Sequence, residues 1–122
     1  MANAVSKITF SESEQGKGIK VAATSTPGTP VHTTDPSATF IDEVWLYAWN
    51  SHTADLALTV EFGGTSAPEQ NIVVTIPAQS GLALVVPGLP LLGNGTTGLS
   101  VKAFCPTANK IVILGFVNRI TP

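Results

Sequence analysis

Apolar residues recur at every second position through most of this chain. Leu56, Leu58, Val60 and Phe62 alternate with Ala57, Thr59 and Glu61, the rhythm of a strand with one buried and one wetted face. Residues 40–50 break that rhythm in an informative way. They alternate too, but both faces are apolar: Val44, Leu46 and Ala48 point one way, and Trp45, Tyr47 and Trp49 the other. Both tryptophans and the single tyrosine of the chain lie in this run. A sandwich strand ordinarily buries one face only. The ring-bearing face therefore calls for a further layer of the same domain or for the surface of another molecule. Three readings stand for the row: the domain's own core, a protein interface, in which Trp and Tyr dominate the binding energy, or a platform on which sugars stack.

Further short apolar runs at 72–76, 82–86, 99–104 and 111–117 are separated by Gly-, Pro- and Asn-bearing turns at 63–71, 77–81, 87–88, 93–98 and 105–110. Leu89, Leu91 and Leu92 flank Pro90, which cannot donate to a central ladder, so residues 89–92 read as an extended edge or a loop. No window carries a helical period. The pattern predicts an all-β chain folded as an antiparallel β-sandwich, jelly-roll-like, although the periods alone do not separate that topology from an immunoglobulin-like one. Before residue 40 the pattern weakens. Two short alternating pieces at 5–10 and 18–23 sit among Thr-, Ser- and Pro-rich stretches. Residues 1–39 read as an extended N-terminal arm with one or two edge strands, and 40–122 as the sandwich body.

With 122 residues the chain suits one domain. Charged residues make up only 11%, far below the roughly 25% of ordinary soluble domains. Six basic residues scattered along a chain of net charge −2 form no stripe for a phosphate backbone, so no nucleic-acid partner is expected. No run approaches the ~18 apolar residues of a membrane span, and no charged start followed by an apolar run marks a signal peptide. The single cysteine, Cys105, forms no intrachain disulfide and reads as a small hydrophobe.

Residue types that carry chemistry are present without the context that chemistry needs. Gly93-Asn94-Gly95-Thr96-Thr97-Gly98 spells a dinucleotide fingerprint, but a strand follows it where a helix N-terminus would have to cradle the pyrophosphate. His32 with Asp35, and His52 with Asp55, offer paired ligands or an acid–base couple, yet both lie in Thr/Ser-rich connectors with no further ligand in reach. Asp42 and Glu43 are adjacent and so point to opposite faces, and they read as the solvated start of the aromatic strand, with Glu61 ending the next. No catalytic residue, metal site or cofactor is expected.

The runs DEVWLYAWN at 42–50, LTVEFGG at 58–64, IPAQSGL at 76–82, VPGLPL at 86–91 and GFVNRIT at 115–121, with a weaker echo in VHT at 31–33, resemble small virion structural proteins of tailed bacteriophages. They resemble in particular the capsid decoration, or cement, proteins. That resemblance implies a non-enzymatic β-sandwich on the outside of a capsid, assembled in the host cytoplasm, that bridges major capsid subunits while its arm lies along the shell. On it rest two sets of expected contacts. Ile8, Phe10, Ile19 and Val21 would touch the capsid; Trp45, Tyr47, Leu89, Leu91 and Leu92 would join copies of the chain at a two-fold or three-fold axis. A carbohydrate-binding module and a tail- or fibre-associated virion protein are the competing expectations.

Overall fold

The computed structural model describes residues 3–122. Among them are nine strands and no helix: β1 (Ala4–Ile8), β2 (Ile19–Lys20), β3 (Thr29–Thr33), β4 (Ile41–Asn50), β5 (Leu56–Phe62), β6 (Asn71–Ile76), β7 (Ala83–Leu92), β8 (Ser100–Phe104) and β9 (Ile111–Thr121). The strands form two antiparallel sheets packed together as a β-sandwich. One runs β1-β9-β4-β7 with β2 also on β9; the other runs β3-β8-β5-β6. Pairing is nested about the loop at 63–70. β5 pairs with β6, β4 with β7, β3 with β8 and β1 with β9, while β4·β9 and β5·β8 join the nested pairs within each sheet.

Alternation places the core along β4 as the sequence predicts, but β5 departs from its expected wetted face: Thr59 and Glu61 are buried with Leu56, Leu58 and Val60, and only Ala57 is exposed. Along β4 the even positions from Asp42 to Asn50 are buried and the odd ones half-buried. Val44, Leu46, Ala48, Leu58, Val60, Val101, Ala103, Ile113 and Val117 have no exposed area, and they fill the space between the sheets. The runs expected at 82–86 and 89–92 are one edge strand, β7. Its register against β4 shifts between Val44 and Trp45 and again between Leu46 and Tyr47, so Pro87 and Gly88 are absorbed without ending the ladder. Gly88 has φ +72°, and a Cβ there would lie 2.6 Å from the Trp45 ring. The indole thus lies against bare backbone.

The N-terminal region differs from the arm expected of it. Residues 4–33 supply three edge strands of the sandwich itself, two on one sheet and one on the other. Phe10, Val21 and Val31 are 1%, 0% and 0% exposed and belong to the common core. Phe10 and Val21 enter the core from just beyond the ends of β1 and β2, and Val31 from within β3. Asp42 and Glu61, expected at solvated strand ends, are 0% and 1% exposed. Both are buried because N-terminal residues fold over them.

Candidate assembly face

The outer face of the β1-β9-β4-β7 sheet carries the large side chains that β4 turns away from the core. Register sets Ile41 beside Ile120, Glu43 beside Asn118, Trp45 beside Phe116, Tyr47 beside Leu114 and Trp49 beside Val112. On the far side, β7 sets Leu84 beside Tyr47 and Pro87 beside Trp45. Trp45 and Phe116 stack with ring centroids 6.2 Å apart and planes 15° from parallel. The Lys7 ammonium lies 4.3 Å from the Phe116 centroid, a cation–π contact that covers one end of the row. Among the described residues the strands form two layers, with no third sheet on this face. Val5 and Leu84 are 63% and 48% exposed at its margins.

One carboxylate fixes the tryptophan. Trp45 Nε1 donates to Glu43 Oε1 at 2.8 Å, and Asn118 Nδ2 donates to the same oxygen at 3.1 Å. These bonds, the indole's first, hold the Glu43 carboxyl below the ordinary glutamate value. The only polar atom of the Trp45 side chain is thereby satisfied, and its ring remains as apolar surface.

The structure divides the expected contact residues. Trp45, Tyr47 and Leu92 are half-buried and Leu89 is 38% exposed, so all four reach the surface. Phe10 and Val21 do not: both are sealed in the core, and Leu91 is buried as well. Folding of 9–33 against the body consumes the first two. Ile8 and Ile19 are half-buried and pack against that core. Phe116 and Leu114, which complete the aromatic face, were missed by sequence reasoning. Their parity within 111–117, opposite to that of Ile111 and Ile113, carried the signal.

A second cluster is polar and centres on the buried pair Asp42 and His32. Asp42 Oδ2 accepts from His32 Nε2 at 2.7 Å, while Arg119 donates from Nε to Oδ1 at 2.7 Å and from Nη2 to Oδ2 at 2.9 Å. The remaining ring nitrogen, His32 Nδ1, accepts from the Ser11 backbone N–H at 3.0 Å. That pattern assigns the neutral Nε2–H tautomer. Burial pushes the Asp42 carboxyl up, but the Arg119 and His32 bonds outweigh it and hold the group below its ordinary value. The Asp42 carboxylate in turn keeps Arg119 charged. Serine, histidine and aspartate meet here without triad geometry. The Ser11 hydroxyl accepts from Thr33 N–H at 2.8 Å, and both imidazole nitrogens are engaged. The cluster pins the turn after Phe10 to β3, β4 and β9. Asp42 shares the inward parity of Val44 and Leu46, and Arg119 that of Val117; those parities could have revealed the pair.

The other candidate motifs serve local structure. Asn94 Oδ1 accepts from the backbone of Thr96 and Thr97, closing the glycine-rich turn. Asp35 caps Ser37 N–H, and Asp55 accepts from Ala78 N–H. Glu61 accepts from Gly28 N–H at 2.6 Å and from the Thr26 hydroxyl at 2.5 Å, tying 26–28 across β5. Among the described residues no three His, Cys, Asp or Glu side chains gather as a metal site. Comparisons with protein-family models, with curated proteins and with solved structures find no match to this chain.

Proposed function

We propose that this chain is a non-enzymatic virion structural protein. It binds the outer surface of a tailed-phage capsid and stabilises the shell by bridging major capsid subunits. The observation that carries the reading is the outer face of the β1-β9-β4-β7 sheet, where Trp45, Tyr47, Trp49, Leu114 and Phe116 stand together, half-buried, with no further strand over them among the described residues and the Lys7 ammonium over the Phe116 end. The sequence runs at 42–50, 58–64, 76–82, 86–91 and 115–121, with their likeness to decoration proteins, supply the destination. The nested pairing and the orders β1-β9-β4-β7 and β3-β8-β5-β6 support the finer reading of the sandwich as a jelly roll wound from one long hairpin, with β2 added beside β9. Function on this reading is interface burial, with no reaction. A contact of about 800 Å² per partner, repeated over a shell, raises the work of separating capsomers. Trp45 and Tyr47 anchor the contact and Leu92 lies along its β7 edge, while Leu89, opposite Val44, turns to the other side of the sheet. The N-terminal strands brace the body, and their exposed outer residues, Val5 and Lys7, border the same face.

Co-sedimentation of the purified chain with undecorated shells tests this. Wild-type protein pellets with shells and raises their resistance to heat, while Tyr47→Lys and Leu84→Lys variants fold normally and stay in the supernatant. Recovery of the protein with tails after the shells are disrupted, or a tryptophan fluorescence change on adding polysaccharide without shell binding, overturns the proposal in favour of a tail-associated or a carbohydrate-binding role.

A further inference from the structure

The four margins of the two sheets are not equally protected, and the difference identifies a second contact surface. Exposed edges are ordinarily blunted by proline, charge or a covering segment. β7 carries Pro87 and Pro90, β1 carries Lys7, and β2 is only two residues long. β3 contains Pro30 and is covered: Val31 C=O accepts from Glu12 N–H at 3.2 Å, and Thr33 N–H donates to the Ser11 hydroxyl. β6, Asn-Ile-Val-Val-Thr-Ile, has neither proline nor charge and, among the described residues, no strand beyond it.

The register shows which groups this edge presents. Phe62 N–H donates to Gln70 C=O at 2.7 Å, and the β5·β6 pairing continues in that register through Val60↔Ile72, Leu58↔Val74 and Leu56↔Ile76. Antiparallel ladders alternate, so Ile72, Val74 and Ile76 direct their N–H and C=O toward β5. Val73 and Thr75 direct theirs outward. Ile72 and Val74 point inward yet are only half-buried, because the core is open on this side.

We propose that β6 is a self-association edge. It pairs antiparallel with β6 of a second copy to make one continuous eight-stranded sheet across a two-fold axis. With Val73 opposite Thr75 of the partner copy, each residue's outward N–H meets the other's C=O, giving four backbone hydrogen bonds. A two-fold contact requires a surface complementary to itself, and an uncharged strand meets its own copy without like-charge repulsion. The half-buried Ile72 and Val74 gain cover in the same step. Six residues make a small interface, so the dimer forms at high protein concentration or where copies are held close together. The edge belongs to the sheet opposite the aromatic face, so the proposal stands apart from the capsid reading and fails separately from it.

Sedimentation equilibrium of the full chain, from micromolar to millimolar concentration, reads the association. Residue-resolved amide exchange at both extremes reads its location. A monomer–dimer equilibrium is expected, with Val73 and Thr75 amides protected only at high concentration. Val73→Lys, at a site already 63% exposed, sets two ammonium groups diagonally across the junction. It weakens the dimer at least about tenfold and leaves the monomer's circular dichroism unchanged. A monomer at every concentration overturns the proposal. So does a dimer that Val73→Lys leaves intact, or one whose protection maps to Tyr47 and Leu114.

Discussion

Replacing Asp42 by Asn keeps the shape of the side chain and removes one charge from a site with no solvent access. The aspartate accepts three hydrogen bonds, two from Arg119 and one from His32. An asparagine amide accepts at one oxygen and presents N–H groups to donors at the other. Hydrogen bonds to charged groups contribute about 1.5–3 kcal/mol each, and removing one partner of a buried pair costs about 3–5 kcal/mol. Arg119 is 25% exposed and can turn toward water, so the lower end applies, about 3 kcal/mol. For a chain of this length that lowers Tm by about 10 °C. Urea unfolding at pH 7 measures the difference directly. The pH dependence gives an independent check. Asp42 has its carboxyl value lowered by folding, so its contribution is complete above the ordinary value of 3.8 and is lost as pH falls through the folded value. The gap between wild type and Asp42→Asn therefore closes on acidification below about pH 4. A gap under about 0.5 kcal/mol at pH 7, or one that stays constant down to pH 2, refutes the reasoning.

Three further substitutions probe backbone strain and the buried polar contacts that hold the sheets together. Gly115 sits at φ +148° opposite Leu46, and a Cβ there would meet the Trp45 carbonyl and stand 3.0 Å from the Phe10 ring. Gly115→Ala is expected to cost about 2–4 kcal/mol in urea unfolding, whereas Gly81→Ala, at φ +90° with open space around it, costs about 1 kcal/mol. Glu61→Gln weakens the hold on Gly28 and Thr26 and is expected to cost about 1.5–3 kcal/mol. Its amide-exchange signature is faster exchange at Gly28 while the β4 amides stay unchanged.

The body of the fold was readable because its strands are long enough to show a period. Ten residues of β4 alternate without a break, and the inward set Val44, Leu46 and Ala48 could be separated from Trp45, Tyr47 and Trp49 by parity alone. Of the N-terminal strands, β1 and β2 fall in the alternating pieces at 5–10 and 18–23, but their place in the sandwich was not readable in the same way. Phe10, Val21 and Val31 are about ten residues apart, each in a polar setting, and their burial is decided by distant partners in β4, β8 and β9. Buried charge was hidden for a related reason. Asp42 and Glu61 are tolerated inside because His32, Arg119, Gly28 and Thr26 arrive from 10 to 77 residues away to satisfy them. A local pattern holds no record of such partners. The aromatic row was legible as an anomaly. That its rings face outward beside Leu114 and Phe116 follows from the β4·β9 register, which no single strand specifies.

Because both tryptophans lie on the outer aromatic face, replacing them with 5-hydroxytryptophan gives a probe that can be excited selectively among unlabelled shells. Acrylamide quenching of the labelled chain, free and after addition of undecorated shells, then asks whether that face is what the capsid covers. Strong quenching in solution that falls steeply on the shell is the predicted result. Protein that pellets with shells yet remains as open to acrylamide as the free chain would contradict the account, since another surface would be making the contact.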